Sequence, residues 1–130
     1  MSPENARKNA ADEMRRARES LRAAEVLARE ALYADAVSDA YYAAFHAVRA
    51  LLLSLGEEPR SHRGALHLFN VHFVRTGKVD ARHLSTLARA QYNRIGADYG
   101  ASTRFEQKDA EDEIVGAREL VDAAAKLLGG

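Results

Sequence analysis

The sequence contains no cysteine, and it has only two prolines and eight glycines among 130 residues. Without cysteine the chain can form no disulfide bond and no iron–sulfur cluster, and it has no thiol for catalysis. The scarcity of proline and glycine leaves long stretches uninterrupted, and the residues that dominate them (alanine, leucine, arginine and glutamate) are good helix formers. We therefore predict an all-α fold, and the length fits a single domain over residues 1–130.

The chain also lacks net charge, because its 19 lysines and arginines balance its 19 aspartates and glutamates. A neutral chain has no overall electrostatic attraction to nucleic acid or to an anionic membrane, but a local basic patch remains compatible with it. No apolar run approaches the ~18 residues of a membrane span. The N-terminal "MSPENARKNAADEM" has no apolar core of the signal-peptide kind. These absences favour a cytoplasmic protein that makes no contact with a membrane.

Helix start and stop signals divide the chain into five helices. Ser2 and Pro3 look like the N-cap and first position of a long helix that ends near Ala31. The other four helices are predicted at about 35–55, 62–75, 81–99 and 107–128, with turns at Gly56 and Gly77, an N-cap at Asp80 and a connector over 100–107.

The spacing of apolar residues predicts which side of each helix is buried. The first and last helices carry alanine-rich seams in steps of four and three, so we expect them to pack on each other or on the same core face. The second helix is the most apolar and should be buried on more than one side. In the fourth helix, the apolar residues expected to share one side are Leu84, Leu87, Ala88, Ile95 and Tyr99.

The histidines do not have the spacing of metal ligands. His62, His67 and His72 are five residues apart, which on a helix rotates successive side chains by about 140°. Two ligands for one ion need a spacing of three or four. We therefore predict no metal site and no cofactor, and we expect His46, in the apolar second helix, to hydrogen-bond a backbone carbonyl or a carboxylate.

A basic cluster opens the third helix. Arg60, Ser61, His62 and Arg63 lie where free backbone N–H groups favour anions, so these four residues are candidates for binding phosphate. The alternative is an ordinary capped helix start with solvated arginines. No glycine-rich phosphate loop of the GxxxxGK[ST] kind occurs in the sequence.

The stretch "QYNRIGADYG", residues 91–100, ends the fourth helix with an arginine and an acid on one face. Arg94 and Asp98 are four residues apart and can form an ion pair along the helix. Arg94 could also stabilise a phosphate anion. Catalysis would need a general base that works near neutral pH, and an aspartate, with a reference pKa of ~3.9, would need strong burial to serve.

Three motifs in order resemble the HEPN domain superfamily. They are the helix "YYAAFHAVRALL", the loop "SHRG" and the ending "RIGADY", and the likeness extends over nearly the whole chain. The closest resemblance is to the small stand-alone prokaryotic branch. This resemblance implies an up-and-down bundle of about five helices that commonly forms a homodimer and often pairs with a separately encoded minimal nucleotidyltransferase.

Some HEPN proteins are metal-independent ribonucleases, including toxins of toxin–antitoxin pairs. Those proteins carry an Arg-x4–6-His motif, and the two residues from both subunits meet in a dimer cleft and act on the RNA backbone. This sequence departs from that pattern, because Asp98 stands before Tyr99 where the nuclease branch has its histidine. An Arg-x6-His match does occur at Arg60 and His67, but it lies at the third helix. Asp39 is a second departure, since relatives often carry arginine before "AYY".

The leading hypothesis is therefore a non-catalytic HEPN-type binding module. It would be a homodimer that pairs with a nucleotidyltransferase and/or binds a nucleotide or an RNA phosphate. The residues expected to bind phosphate are Arg60, Ser61, His62 and Arg63, and those expected at the cleft or dimer edge are Arg94, Asp98 and Tyr99.

Two other functions remain open. The first is a ribonuclease toxin, for which Arg94, His67 and Asp98 would be the catalytic candidates. The second is a purely structural helical adaptor, in which changing Arg60 or His62 to alanine would alter no ligand binding.

Overall fold

Five α-helices form the described part of the chain in a computed structural model, which describes residues 2–100 and 104–129. They are α1 (Pro3–Arg29), α2 (Tyr33–Ser54), α3 (His62–Phe69), α4 (Arg82–Tyr99) and α5 (Gln107–Leu127). A π-helical turn, Asn70–Val74, continues α3. No strand occurs in either described range, and the predicted all-α single-domain fold is confirmed.

The helix ends follow the local signals closely. The Ser2 hydroxyl caps α1 by accepting the Asn5 N–H at 3.1 Å. Gly56 and Gly77 adopt the left-handed φ angles of 78° and 76° that a turn after a helix requires. Before α4, the Asp80 carboxylate accepts the Arg82 N–H at 2.8 Å. In the predicted connector over 100–107, residues 101–103 lie outside the described ranges.

The link between α1 and α2 lies two residues earlier than predicted. It contains only residues 30–32, and α2 begins at Tyr33, two residues before the expected start. No side chain caps this helix end, and Ala31 makes the reversal with a positive φ of 61°. Tyr33 packs instead on a small apolar cluster at the edge of the core. Tertiary packing therefore decides this boundary.

Helix α2 lies at the centre of the bundle and packs against α1, α3, α4 and α5. The alanine-rich seams of α1 and α5 are buried as predicted, and the two helices contact each other as well as α2. Their buried members are Ala10, Met14, Ala17, Leu21, Ala24, Ala110, Ile114, Ala117, Val121 and Ala124. Small side chains on these seams let the helix backbones approach closely.

The prediction of which side of α4 is buried is wrong for most of the helix. Of the residues expected there, Leu87 is buried and Leu84 is partly buried, but Ala88, Ile95 and Tyr99 are exposed. The buried face consists of His83, Thr86, Leu87 and Ala90. Thr86 can face α5 because its hydroxyl donates to its own helix, to the Arg82 carbonyl at 3.0 Å. A Cβ on Gly116 of α5 would lie 3.1 Å from the Thr86 methyl, so close helix contact favours small residues here.

A buried carboxylate links α1 to α2. Glu13 is 6% exposed, and its carboxylate lies 2.7 Å from Nδ1 of His46 and 3.5 Å from Nε of Arg49. The expected hydrogen bond between His46 and a carboxylate is therefore present. A buried acid of this kind needs such partners, because an isolated charge in the core is costly.

Membrane insertion would require a long apolar helix. Across residues 2–100 and 104–129, none of the helices is both long enough and apolar enough to span a bilayer.

Candidate functional site

A cationic side chain lies against two aromatic rings where α2 and α4 meet. The guanidinium carbon of Arg94 lies 5.1 Å from the ring centre of Tyr41 and 5.9 Å from that of Tyr42. Both distances fit cation–π contacts. We call the site formed by Tyr41, Tyr42, His62, Arg94 and Asp98 the Arg94 cleft.

Helix geometry positions the guanidinium of Arg94. Its Nη1 donates to Asp98 at 3.0 Å and its Nε donates to Gln91 at 3.2 Å, so neighbours one turn away on both sides hold it. The ion pair expected between Arg94 and Asp98 is thus present. A guanidinium has five N–H donors, and these two bonds leave others for an anion. The Arg94 side chain is 17% exposed, which keeps it within reach of solvent.

Arg94 remains protonated in this setting. Burial opposes the cation, yet the pKa of Arg94 is raised above its ordinary value because Tyr42, Tyr41 and Asp98 favour the charged form. The cleft therefore presents a permanent positive charge.

His62 enters the cleft from the start of α3. Its Nδ1 lies 3.3 Å from the Tyr41 hydroxyl, and its ring stacks on Phe45 with 6.4 Å between ring centres. Burial, and then the positive charge of Arg94, lowers the pKa of His62 below 6.5. Burial likewise raises the pKa of Tyr41 to about 12. Near neutral pH the imidazole and the phenol are therefore both uncharged, so the hydrogen bond joins two neutral groups.

Acidic groups border the same cleft. The pKa of Asp39 on α2 is raised by burial, and further by the negative charges of Asp35 and Asp98. Asp39 thus lies close enough to the acid of the Arg94–Asp98 pair for the two carboxylates to repel each other. This arrangement limits how much net positive charge the cleft can offer an anion.

Comparison with known proteins identifies the fold. The HEPN domain family matches residues 10–127, which is almost the whole chain. The chain belongs to the HEPN domain family. The resemblance seen in the three sequence motifs is therefore confirmed.

Similar proteins occur in bacteria and archaea. A UPF0332 protein of Gloeobacter violaceus is 38% identical, over 90% of this chain and 94% of its own length. A UPF0332 protein of Thermotoga maritima is 40% identical, over 88% of this chain and 86% of its own. A protein of Methanocaldococcus jannaschii named "Putative toxin MJ0605" is 37% identical, over 86% of this chain and 83% of its own.

The four residues predicted to bind phosphate do not form one group in this HEPN domain. His62 lies in the cleft, whereas Arg60 and Arg63 are exposed and form no ion pair with any described residue. Ser61 caps α3 by accepting the Gly64 N–H at 2.9 Å. That these residues bind phosphate stays a prediction. In the structure Ser61 is a helix cap, His62 belongs to the cleft, and Arg60 and Arg63 are surface cations.

The remaining predicted site residues also do not lie in one place. Arg94 and Asp98 lie together in the cleft, whereas Tyr99 is 76% exposed on the opposite side of α4 from Arg94. His67 is exposed on α3, and among the described residues no hydrogen bond or ion pair joins it to Arg94. The histidine that lies in the Arg94 cleft is His62.

Sequence reasoning missed the aromatic side of the cleft. Tyr41 and Tyr42 occur among the predictions only within the helix motif "YYAAFHAVRALL", and Gln91 only within the stretch 91–100. A signal for Gln91 existed, since it lies three residues before Arg94 in the helix and can reach its guanidinium. No local signal indicated that α3 would bring His62 to Tyr41, because that contact joins residues 21 positions apart.

No metal is indicated at this cleft. Over the described ranges, histidine, aspartate and glutamate form no group of three or more that could hold a metal ion.

The depressed pKa of His62 gives a test of the cleft. Replacing Arg94 with glutamine removes a nearby positive charge, so we expect the pKa of His62 to rise toward 6.5 while burial keeps part of the depression. NMR titration of the histidine ring protons measures this shift. Arg75→Gln removes an exposed cation from the turn after α3 and should leave the His62 titration unchanged. An equal shift in both variants would show that Arg94 has no specific effect.

Proposed function

We propose that this HEPN domain is a non-catalytic binding module that holds a phosphate group of a nucleotide or of RNA in the Arg94 cleft. It would act as a homodimer and pair with a separately encoded minimal nucleotidyltransferase. Co-purification of such a protein with the tagged chain from a native lysate tests the pairing.

The observation that carries the proposal is the hydrogen-bonding capacity of Arg94 that the described residues leave unused. Its position and charge are already held by Gln91, Asp98 and two tyrosines, so binding an anion would cost little further ordering of the side chain. Preorganised, charge-assisted donors of this kind are effective for binding phosphate oxygens.

The surroundings of α3 support the same ligand class. Residues 59–79 contain no aspartate or glutamate, but they include four lysines and arginines, namely Arg60, Arg63, Arg75 and Lys78. All four side chains are exposed. A locally basic surface next to His62 would attract a phosphodiester despite the neutral charge of the whole chain.

An exposed stripe on α4 supports the homodimer. Ala88, Tyr92, Ile95 and Tyr99 follow one another in steps of four, three and four, on the side of α4 that faces away from the core. Tyr92 is 78% exposed and Tyr99 is 76% exposed. Tyrosines are common in the centres of protein interfaces, and a regular apolar stripe on a helix suits packing against a second helix.

Loss of the Arg94 side chain should weaken phosphate binding. Hydrogen bonds to charged groups are worth about 1.5–3 kcal/mol, so Arg94→Gln is expected to raise the Kd for a nucleoside triphosphate or a short single-stranded RNA by roughly 10- to 100-fold. Calorimetry and fluorescence anisotropy measure the two ligands. Arg82→Gln removes an exposed arginine that pairs with Glu119, and it serves as the control of equal charge. If the wild type binds neither ligand, or if both variants lose affinity equally, the binding proposal fails.

The homodimer should depend on the α4 stripe. Light scattering after size exclusion is expected to give twice the chain mass for the wild type at micromolar concentration. Ile95→Lys with Tyr99→Lys should yield a monomer, because charges would be buried at the interface. Val26→Lys with Val115→Lys changes two other exposed apolar residues and should leave the dimer intact. A wild-type monomer would contradict this part of the proposal.

One observation favours a second function, a metal-independent ribonuclease. His62 lies in the same cleft as Arg94 and is neutral near neutral pH, as a general base must be. In the tautomer with its proton on Nδ1, the ring donates to the Tyr41 oxygen, and Nε2 is free to accept a proton from a ribose 2′-hydroxyl. Arg94 would then stabilise the negative charge on the phosphate. The relative from Methanocaldococcus jannaschii that is named a toxin agrees with this alternative.

The ribonuclease alternative predicts cleavage of RNA by the purified protein in the presence of EDTA. Both His62→Asn and Arg94→Gln should abolish cleavage, while His67→Asn, which changes an exposed histidine on the same helix, should retain it. Gel analysis of several structured and unstructured RNAs provides the measurement. Intact RNA after incubation with a wild-type protein that binds it would support the non-catalytic module instead.

A further inference from the structure

Arginines gather on one flank of α1, away from the Arg94 cleft. Arg7, Arg15, Arg18 and Arg22 fall within a sector of about 80° when successive residues are placed 100° apart around the helix axis. All four side chains are exposed. We call these four residues the arginine flank.

Two depressions lie along this flank and share Arg18. The first has a volume of about 310 Å³ and is formed by Arg7, Ala10, Ala11, Met14, Arg18, Ser54, Ala125 and Leu128. The second has a volume of about 330 Å³ and is formed by Arg15, Arg18, Glu19 and Arg22. Together they place four arginines beside one carboxylate.

That carboxylate is already partnered. Glu19 pairs with Arg15 at 3.3 Å, and both side chains are more than half exposed. Within residues 2–100 and 104–129, Arg7, Arg18 and Arg22 form no ion pair. The flank therefore carries a local excess of positive charge that no ion pair between described residues neutralises.

The first depression has an aliphatic floor. This floor consists of Ala10 and Met14 on α1 and of Ala125 and Leu128 at the end of α5. No aromatic side chain of the described residues lines it, so the depression lacks the stacking surface that single-stranded nucleic acid ordinarily uses. Aliphatic side chains of a protein suit it better.

We propose that the arginine flank and this depression form a docking groove for an acidic amphipathic helix of a partner protein. Leucine-like side chains of that helix occupy the depression between α1 and α5, and its glutamates or aspartates pair with Arg7, Arg18 and Arg22. This is the helix-in-groove mode of recognition, with arginines along one rim of the groove.

The spacing of the arginines fits a helical partner. At a rise of 1.5 Å per residue, Arg18 and Arg22 are about 6 Å apart along α1, and Arg7 and Arg18 are about 16 Å apart. A second helix lying antiparallel to α1 has the same rise, so acids at positions i, i+4 and i+15 would face Arg22, Arg18 and Arg7 together. An extended peptide rises about 3.3 Å per residue and would lose this register.

The groove is separate from the proposed phosphate site. It consists of residues from α1, α5 and the end of α2, and it shares none with the Arg94 cleft. Docking of a helix here therefore does not require phosphate binding, and failure of one proposal leaves the other standing.

The test uses the full chain and a fluorescein-labelled peptide of about 20 residues, long enough to form a helix on binding. The peptide carries glutamates at i, i+4 and i+15 beside a leucine stripe at helical spacing. A second peptide has the same composition in an order that destroys the stripe, and a third has lysine for each glutamate. Fluorescence anisotropy should show binding of the first peptide at least tenfold tighter than of either other peptide.

Charge reversal on the flank supplies the decisive comparison. Arg18→Glu with Arg22→Glu should weaken binding of the acidic peptide at least tenfold, and the milder pair R18Q with R22Q should weaken it less. Arg75→Glu with Lys78→Glu makes the same charge change on the turn after α3 and should alter the Kd less than twofold. Circular dichroism confirms that each variant is folded, which is expected because the altered side chains are exposed.

Three outcomes overturn the proposal. The first is no measurable binding of the acidic amphipathic peptide, and the second is equal binding of the reordered peptide. The third is an equal loss of affinity for the acidic peptide in the α1 variants and the control variant, which would show that only general charge attraction is at work. The flank would instead be assigned to nucleic acid if the peptide did not bind and a single-stranded RNA bound the wild type but not the variant with R18E and R22E.

Discussion

The burial of α2 over most of its circumference is the constraint on which the rest of this structure depends. Most of its length is apolar, and α1, α3, α4 and α5 all pack on it. Such a helix is stable only when its apolar faces are covered, because the apolar area removed from water supplies the main favourable term in folding. Alanines at Ala40, Ala43, Ala44, Ala47 and Ala50 keep its backbone close to its neighbours. The four other helices are arranged around it.

This arrangement also creates the Arg94 cleft. Tyr41 and Tyr42 lie on α2 where α4 crosses it, so the rings meet the guanidinium of Arg94 at the edge of the core. The short α3 then places His62 beside Tyr41. An arginine is tolerated there because Asp98, Gln91 and the aromatic faces compensate the loss of hydration. The same compensation leaves part of its donor set unused.

Charge is unevenly distributed on this HEPN domain although it sums to zero. Residues 59–79 contain no acidic residue, and the arginine flank of α1 holds three arginines that no described acid neutralises. These two basic surfaces differ in their neighbours. One adjoins a polar, aromatic cleft suited to phosphate, and the other adjoins an aliphatic groove suited to a helix. The chemistry beside each basic surface, more than the charge itself, separates the two proposed roles.

Much of the fold followed from the sequence alone. The N-cap at Ser2, the glycine turns after α2 and α3, and the seams of α1 and α5 all depend on residues within a few positions of one another, so local rules were sufficient. The Arg94–Asp98 pair is of this local kind as well, because one helical turn brings the two side chains together. The order of three motifs indicated the family.

The inner side of α4 and the composition of the cleft were decided by tertiary structure. Ile95 and Tyr99 have apolar side chains suited to a core, yet they are exposed, whereas Thr86 and Ala90 are buried and Thr86 lies close to Gly116 of α5. His62 contacts Tyr41 although the two residues are 21 positions apart, and no periodicity in the sequence indicates this contact. Local spacing determines which residues share a helix face. Which face is buried, and which distant side chains meet, depends on how the four other helices together pack on α2.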